Sequence, residues 1–239
     1  INCSGFCSTC GRHHVLQQGP AREKALLLRT ILEQKQTINL FSDCRSLDVE
    51  FSTAPLFGED RGKMFGVLEC WNRSRQTVWL YAFSGQYRGK WTIPGWAPPL
   101  FDPIEFDNIN IPAEKEIKDL GRKIKATADD GKRSSLRAER KALSRDLMSR
   151  IHALYQVTNF TGRTVSLDQA FLFPGGKPTG TGDCCAPKLL NTAARARLIP
   201  LSIAEFYFGR SNRSKTMVHG CFYPPCEDKC KPLMGYMLC

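Results

Sequence analysis

Apolar residues at helical spacing predict three helices in the first two thirds of the chain. Pro20 stands at a first-turn position, and the pattern that follows it extends to Gln36. Between residues 114 and 160, two amphipathic segments lie on either side of the break Asp129-Asp130-Gly131, which predicts an antiparallel helical hairpin. The apolar positions of the three helices are Ala25, Leu28, Ile31 and Leu32, then Ile117, Leu120 and Ile124, and then Leu136, Leu143, Leu147, Ile151 and Leu154.

Short apolar runs between turn residues predict the strands. Residues 62–71 and 77–85 are apolar and aromatic, and the polar stretch 72–76 between them predicts a hairpin. Residues 199–208 alternate between apolar and other side chains, which predicts a further strand. The segment 91–101 is dense in Pro, Gly and Trp. Its rings could stack on nucleic-acid bases, but we expect them to cover the core.

The last third predicts two helices that each begin at a cysteine cluster. Asp183 is the expected N-cap of the first, and residues 226–237 are expected to form the second. Together with the strands and the hairpin, these helices predict an α/β (α+β) fold, with a mixed sheet and helices in three layers. The expected parts of the chain are a cysteine-rich arm (1–19), a first part of the core (20–113), the inserted hairpin (114–160) and a second part of the core (161–239).

Composition and charge narrow the classes of function. Of the 239 residues, 42% are hydrophobic, but no apolar run approaches the roughly 20 residues that span a bilayer, so we expect no membrane insertion. The net charge of +11 favours an anionic partner such as RNA, DNA or an acidic protein surface, although basic charge also confers solubility. The hairpin is the local candidate for contact with RNA phosphates, through Lys123, Lys132, Arg133, Arg137, Arg140 and Lys141.

Two cysteine clusters in the last third predict a zinc site. Cys184 and Cys185 open one expected helix, and Cys226 and Cys230 open another at a spacing that puts both on one helical face. Helix N-termini stabilise thiolates, which are preferred ligands of Zn²⁺. Cys226, Cys230 and one cysteine of the first pair would supply three ligands; the alternative is a set of buried thiols without a metal. The fourth position would be left to water in an enzyme, or closed in a structural site by the other cysteine of the pair, Cys221 or His219.

The first fourteen residues predict a second zinc site. Cys7 and Cys10 form a Cys-x-x-Cys turn followed by Gly11, an arrangement that lets two thiolates face one metal. The alternative is a set of free thiols on a flexible arm. The predicted ligands are Cys7, Cys10, Cys3 and His13, with His14 as the alternative to His13.

The grouping of the eleven cysteines also indicates a redox compartment. They lie at short spacings in a long chain of ordinary apolar content, which favours metal binding under reducing conditions over a disulfide scaffold. The chain opens on Ile1, and the two alternatives for what precedes it are a removed organellar presequence and a disordered start outside this sequence. We expect an intracellular, reducing compartment, a chloroplast or mitochondrion rather than the cytosol.

The cysteine motifs GDCCAPKLL (182–190) and YPPCEDKC (223–230) resemble those of the cytidine-deaminase-like superfamily, in particular members whose first helix begins with Cys-Ala-Glu-Pro-Lys. The resemblance implies a deaminase-like fold around one zinc ion. It places Cys184 on a ligand and Ala186 on the glutamate that shuttles protons; using Cys185 instead places Pro187 there. The second motif also departs from the pattern of this superfamily, because three residues instead of two lie between its cysteines. The acids that could stand in for the glutamate are Asp183, Glu205 and Glu227.

A second resemblance covers nearly the whole chain. The segments that carry it are GKMFGVL (62–68), AFSG (82–85), PPLFD (98–102), TGDCCAPKLL (181–190) and FYPPC (222–226). They are similar to the amino-terminal extension of certain RluA-type RNA pseudouridine synthases, a module that also occurs alone in plants and algae. The synthase domain, with its catalytic aspartate in an Arg-Leu-Asp motif, is not among these 239 residues. The resemblance therefore implies an association with RNA modification and no pseudouridine synthesis by these residues.

Three functions follow from these patterns. The first is a zinc-stabilised, non-catalytic module for RNA binding or assembly, associated with RNA modification or a ribonucleoprotein complex. The second is an active zinc-dependent deaminase, or a related hydrolase, that acts on a nucleobase or nucleotide. The third is a structural subunit of a large organellar complex. The basic charge, the hairpin, the cysteine clusters and the missing glutamate together favour the first.

Overall fold

The secondary structure is taken from a computed structural model, which describes residues 1–41, 49–172 and 176–239. The strands are β1 (Cys3–Cys7), β2 (Arg12–Leu16), β3 (Lys63–Trp71), β4 (Thr77–Phe83), β5 (Gln156–Thr158), β6 (Thr164–Ser166) and β7 (Ile199–Phe208). The helices are α1 (Gly19–Lys35), α2 (Pro103–Ala126), α3 (Asp130–Leu154), α4 (Leu167–Ala170), α5 (Cys185–Arg195) and α6 (Lys231–Met237). Two short 3-10 helices, Val49–Phe51 and Ala54–Phe57, precede β3.

A three-stranded sheet in the order β4-β3-β7 forms the centre of the fold. Side chains alternate along β3, so that Phe65 and Val67 pack with α1 on one face, while Leu68 and Cys70 pack with α5 on the other. The α+β class predicted from the sequence is confirmed. The expected mixed sheet is instead antiparallel in every pairing of the described residues, because a short turn joins β3 to β4 and β7 also runs opposite to β3.

The close contact between β3 and α5 depends on Gly66. A Cβ atom on Gly66 would lie 2.7 Å from the Cβ of Cys185 and 3.0 Å from the Cδ1 of Leu189, which is too close for non-bonded carbon atoms. Glu205 on β7 lies directly opposite Gly66 in the antiparallel pairing. The absence of a side chain at Gly66 therefore lets the first turn of α5 rest on the sheet, next to Glu205.

The predicted helical hairpin is formed by α2 and α3. α2 begins at Pro103, well before residue 114, because the Asp102 carboxylate accepts a backbone N–H of its first turn at 2.8 Å. Asp129 caps α3 through the N–H of Lys132 at 2.6 Å. No helix within residues 1–41, 49–172 and 176–239 combines the length and apolar character needed to cross a membrane. The side chains that anchor the hairpin in the core beside α5 include Phe106, Ala113, Leu147 and Ile151.

The terminal helix starts later than the sequence predicts. Residues 227–230 form a turn, Cys230 is the N-cap, and α6 begins at Lys231. Pro232 lies in the first turn, where its missing N–H leaves no helical hydrogen bond unmade. The cysteines at 226 and 230 therefore belong to the turn before α6 and to its N-cap, and not to one helical face.

The two ends of the chain meet where β1 packs on α6. Two glycines make the contact possible: a Cβ on Gly235 would lie 1.9 Å from the carbonyl oxygen of Phe6, and a Cβ on Gly5 would lie 2.4 Å from the nitrogen of Gly235. No other residue type could occupy either position without moving the two backbones apart. The contact places the last residues of the chain beside the first strand.

The aromatic segment 91–101 covers the core, which is the alternative we expected. Trp96 is buried, and its indole N–H donates to the carbonyl of Ile38 at 2.9 Å. Trp91 is also buried and packs edge-on against Phe101 and Phe106, with ring centroids 4.8 and 5.1 Å away. These rings form part of the wall between the core and the hairpin.

Candidate metal centres

Three of the predicted cysteine ligands come together between α5 and α6. The sulfur atoms of Cys184, Cys226 and Cys230 lie within 4.8 Å of one another, and those of Cys184 and Cys226 are 3.4 Å apart. We call this group the three-thiol site. Cys230 is buried and the other two cysteines are half-buried, so the site lies at the edge of the core.

Each of these thiols is held by a helix start or a turn. Cys184 is the N-cap of α5, where Asp183 was expected; the Asp183 carboxylate instead accepts the hydroxyl of Tyr155 at 2.6 Å. The N–H of Cys230 donates to the carbonyl of Cys226 at 3.1 Å, which closes a single turn. The four-residue spacing therefore brings the two sulfurs together as predicted, although α6 begins only afterwards.

The three thiols compete to lose the first proton. Hydrogen bonds from Cys184 and Cys230 lower the pKa of Cys226 to about 3, and Lys229 contributes to the same effect. The contacts with Cys226 and Cys230, together with burial, raise the pKa of Cys184 well above its ordinary value. A cation bound by all three sulfurs would replace the remaining protons, which is how metal binding is usually coupled to thiol ionisation.

The groups expected to complete this site lie elsewhere. Cys185 is buried against the sheet, where its thiol donates to the carbonyl of Met64 at 3.3 Å. Of the two adjacent cysteines, only Cys184 belongs to the ligand group. His219 instead lies beside Glu33, with its Nε2 3.2 Å from the carboxylate, and Cys221 is exposed outside both ligand groups.

A buried carboxyl group lies beside the three-thiol site. Glu205 is only 5% exposed, and its carboxyl accepts the N–H of Ala186 in the first turn of α5. Burial raises the pKa of Glu205 to about 8, and the charge of Cys226 adds to the rise. The sequence offered Glu205 as one of three replacement acids. Glu205 lies on an alternating strand and on the same face as the buried Ile203. This alternation is the signal that could have identified Glu205 among the three acids.

A second group of ligands joins the two ends of the chain. Ligand atoms of Cys7, Cys10, His14 and Cys239 lie within 4.8 Å of one another, and the Sγ of Cys10 is 3.1 Å from the Nε2 of His14. We call this group the terminal site. The N–H of Gly11 donates to the carbonyl of Cys7 at 2.9 Å, and the φ of +68° at Gly11 favours glycine. The predicted Cys-x-x-Cys-Gly turn is therefore present.

Strand alternation explains why His14 takes part and His13 does not. In the ladder between β1 and β2, His14 lies opposite Gly5 and shares a face with Cys7. His13 lies opposite Phe6 on the other face of the hairpin. The prediction of His13 as a ligand is thus replaced by its alternative, His14.

Cys239 takes the place that the sequence assigned to Cys3. Cys3 lies four residues before Cys7 on the same strand, about 13 Å away along β1, and its thiol donates to the sulfur of Met234 at 3.2 Å. The contact of β1 with α6 brings Cys239 to Cys7 from the other end of the chain. No local pattern indicated Cys239, because its partners are distant in sequence.

Hydrogen bonds also favour the thiolate of Cys7. Burial raises the pKa of its thiol, but the N–H groups of Cys10 and Thr9 and the thiols of Cys239 and Cys10 together lower the pKa below its ordinary value. Burial, followed by contact with Cys10 and Cys7, raises the pKa of Cys239 to about 12. One thiolate is thus formed first in this site, as in the three-thiol site.

Both groups match the dimensions and donor chemistry of a zinc site. Tetrahedral Zn²⁺ with Zn–S bonds of about 2.3 Å holds its sulfurs about 3.8 Å apart, close to the separations in both groups. A disulfide needs about 2.05 Å, and the cysteines of the described residues are free thiols. The terminal site supplies the Cys₃His set of a closed structural site, and the three-thiol site supplies three ligands from the described part of the chain. Metal binding is thus supported by the geometry.

The predicted RNA-contact residues do not all lie in one place. Arg133 lies in the first turn of α3, where it donates to the carbonyl of Thr127 at 2.9 Å and pairs with Asp130 at 2.6 Å. Lys123 and Lys132 are exposed on other parts of the hairpin surface. A groove runs beside α3, and we call it the α3 groove. It is lined by Arg137, Arg140, Lys141, Ser144, Arg145, Met148, Ser149, His152 and Lys177. The predicted residues in it are Arg137, Arg140 and Lys141, and Arg145, another basic residue of the hairpin, joins them.

No protein-family model matches this chain, and no curated protein or solved structure matches it. The resemblances to deaminases and to the pseudouridine synthase extension therefore remain interpretations of the sequence motifs. The geometry of the described residues adds two clusters that could each hold a metal ion.

Proposed function

We propose that this protein is a zinc-stabilised, deaminase-like module that binds RNA without catalysing a reaction on it. Its place would be in RNA modification or in a ribonucleoprotein complex. The observation that carries the proposal is a row of unpaired basic side chains along one face of α3. The net charge of +11 supports it on the scale of the whole chain.

The basic row has the regular spacing of one helical face. Arg137, Arg140, Lys141 and Arg145 follow one another as i, i+3, i+4 and i+8, and they extend over about 12 Å of α3. All four are exposed, and none forms an ion pair with any residue that the structure describes. Other basic residues of the hairpin have acidic partners: Lys118 with Glu114, Arg122 with Asp119, and Arg150 with Asp146.

A polyanion would supply the charges that the α3 groove lacks. The groove has a volume of about 770 Å³, and it is open to solvent along the helix. Phosphate contacts from arginine are strong because the planar guanidinium can donate two parallel hydrogen bonds. Because the basic row is longer than one phosphate group, it favours binding of a nucleic-acid strand over binding of a single anion.

The two metal sites would support this function by holding the fold. Zinc at the three-thiol site would join the start of α5 to the turn before α6. Zinc at the terminal site would join the β1–β2 hairpin to the last residue of the chain. Ala186, at the position where the deaminase resemblance expects a catalytic glutamate, supports a role without catalysis.

Fluorescence anisotropy with a labelled single-stranded RNA tests the proposal. We expect the affinity to fall steeply with salt, with a logarithmic slope of about −0.7 for each phosphate contact. The variant Arg137→Ser/Arg140→Ser/Arg145→Ser should bind at least about tenfold more weakly and show a slope shallower by about 2. The matched control is Lys118→Ser/Arg122→Ser/Arg150→Ser, which removes the same charge from the same hairpin but only from paired side chains.

Two results would overturn this assignment. Equal losses in both triple variants would mean that only net charge matters, and the row on α3 would have no special part. Association that is independent of salt, and with a protein instead of RNA, would favour the structural subunit of an organellar complex.

A second candidate, a nucleobase deaminase, is favoured by one observation, the position of Glu205. Its carboxyl reaches the N–H of Ala186, the residue aligned with the missing glutamate, from the neighbouring strand. It also lines a cavity of about 10 Å³ with Gln18 and Tyr223, which has room for about one water molecule. When bound, zinc would supply the activation of water that such enzymes need, and Glu205 would hold and move the proton.

Mass spectrometry of RNA incubated with the zinc-loaded chain tests this candidate. Deamination converts cytosine to uracil, or adenine to hypoxanthine, with a mass change of about 1 Da. We expect Glu205→Gln to abolish any such activity while zinc content stays the same. Activity that survives in this variant would mean that a group other than Glu205 moves the proton. No conversion by the wild type would leave the non-catalytic function as the conclusion.

A further inference from the structure

A cavity of about 500 Å³ lies between the helical hairpin and the core. Its size is within the range of small-molecule sites in proteins, which is roughly 300–1,000 Å³. The aromatic side chains of Trp91, Phe106 and Tyr155 and the aliphatic Leu147 and Ile151 line it. Walls of this kind accept a flat apolar ring.

Two residues that line this cavity each carry a buried ring nitrogen with no hydrogen-bond partner among the described residues. These nitrogens are the Nε1 of Trp91 and the Nε2 of His152, whose side chains are 8% and 6% exposed. Burial, and then the nearby charge of Lys177, lower the pKa of His152, so its ring is neutral near pH 7 and keeps one donor and one acceptor. Buried polar groups are normally paired, because each unpaired group costs about 1–3 kcal/mol. Each ring would therefore gain a hydrogen bond by turning its nitrogen towards a polar ligand atom in the cavity.

Two side-chain amides add further donors and acceptors. Gln86 and Asn110 are half-buried on the lining of the cavity, and neither side chain bonds to another described residue. An amide presents a carbonyl and an NH₂ group side by side, which is the arrangement that pairs with the edge of a nucleobase. The lining thus combines ring-shaped apolar walls with groups that suit a heterocycle.

The cavity opens towards the basic row on α3. Met148 and His152 belong to both the cavity and the α3 groove, and Arg145 lies two helical turns before His152, about 10 Å along the axis. A molecule with its ring in the cavity would therefore carry its anionic part towards the arginines. Nucleotides have this division into a flat base and a phosphate.

We propose that the cavity takes the base of a nucleotide whose phosphate lies on the basic row of α3. The inference deepens the proposed RNA binding and rests on it for the role of the row. One unstacked base of a single strand and a free mononucleotide share this chemistry. Proteins that recognise single-stranded RNA commonly enclose one base between apolar side chains and hydrogen-bond its edge.

Titration calorimetry with ribonucleoside monophosphates, and anisotropy with a single-stranded RNA of about ten nucleotides, test the inference on the full zinc-loaded chain. The variant Gln86→Ala/Asn110→Ala removes two polar contacts without touching the core, and we expect it to weaken binding about tenfold or more. Trp91→Phe should do the same through the loss of one donor. The matched control Gln34→Ala/Asn108→Ala removes two exposed amides outside the cavity and should change nothing.

The calorimetry and the anisotropy together distinguish a free mononucleotide from a base within an RNA strand. They also test this inference separately from the proposed function. Mononucleotide binding that the cavity variants weaken supports the inference, even if RNA does not bind and the proposed function fails. RNA binding that the cavity variants weaken, without mononucleotide binding, assigns the cavity to a base within a strand. RNA binding that is insensitive to the cavity variants overturns the inference and leaves the proposed function in place. Absence of binding in both arms overturns both.

Discussion

The two candidate metal sites differ in where their ligands come from and in what surrounds them. The terminal site draws four ligands from the two ends of the chain, and Cys10 is exposed. The three-thiol site draws three ligands from the start of α5 and the turn before α6. It contains the fully buried Cys230 and lies beside the buried carboxyl of Glu205. The terminal site offers four ligand side chains of its own, whereas the three-thiol site is integrated into the core.

This difference between the two sites predicts that they contribute unequally to the stability of the fold. Loss of metal from the terminal site would release the β1–β2 hairpin and the last residue, while the central sheet keeps its packing between α1 and α5. Loss of metal from the three-thiol site would leave adjacent sulfur atoms without a bridging ion at the N-terminus of α5. This helix covers one face of the sheet. We therefore expect the larger effects at the three-thiol site.

The largest expected effect is that of Cys230→Ser. This change removes a buried ligand, so we expect loss of about one zinc ion per chain and at least about 3 kcal/mol of stability, or roughly 6–12 °C in Tm. The matched control is Cys185→Ser, which alters a buried thiol outside the ligand group and keeps a donor for the carbonyl of Met64. Zinc content by mass spectrometry and thermal unfolding measure both variants. Equal effects would mean that burial, and not metal binding, makes Cys230 important.

The next effect in size is that of Gly235→Ala. The added Cβ would lie 1.9 Å from the carbonyl oxygen of Phe6, so β1 and α6 must separate. We expect a loss of about 2–3 kcal/mol from overpacking and loss of zinc from the terminal site alone. The control Gly121→Ala adds its Cβ 3.7 Å from the nearest atom of Arg140 and should be neutral or slightly stabilising. Unchanged zinc content in Gly235→Ala would show that Cys239 does not depend on this contact.

Local patterns in the sequence predicted much of the fold. The strand 199–208, the β3–β4 hairpin and the break between α2 and α3 all follow from short-range periodicity and turn residues. The early start of α2 was not predicted, although Asp102 as a cap followed by Pro103 is a local signal for it. These features need no knowledge of distant parts of the chain.

The parts that sequence reasoning missed depend on contacts between distant segments. Cys239 reaches Cys7 only because two glycines let β1 pack on α6. The position of Glu205 next to Ala186 follows from the pairing of β7 with Gly66. The choice of His14 over His13 is different, since strand alternation from Cys7 would have predicted it.

A smaller effect is expected for His14→Ala. It removes one ligand of the terminal site, so zinc content should fall by about one ion while stability falls by only about 1–2 kcal/mol. His13→Ala is the matched control on the opposite face of the same hairpin, and it should keep both metals. Zinc release by a chelator, followed in both variants, provides the measurement. Faster release from His13→Ala would reverse the ligand assignment.

The smallest expected effect is a change with pH in the stability that Glu205 contributes. The buried carboxyl of Glu205 lies beside the three-thiol site and has no counterpart in the ligand group of the terminal site. In the folded protein its pKa is raised to about 8, whereas the ordinary value is 4.5. Between these values the folded state holds a proton that the unfolded state releases. The contribution of Glu205 to stability therefore falls as pH rises from 4.5 through 8. Glu205→Gln cannot ionise, so its stability relative to wild type should rise by about 1 kcal/mol between about pH 7 and about pH 8.

Thermal unfolding at the two pH values measures this difference, which corresponds to about 2–4 °C in Tm. The control is Glu69→Gln on β3. The Glu69 carboxyl is half-buried and accepts a hydrogen bond from the hydroxyl of Ser202 at 2.7 Å. A constant difference between Glu205→Gln and wild type would mean that Glu205 is ionised beside the bound metal at both pH values. The carboxyl would then be paired with the cation, and the three-thiol site would resemble the terminal site in being closed by its own side chains.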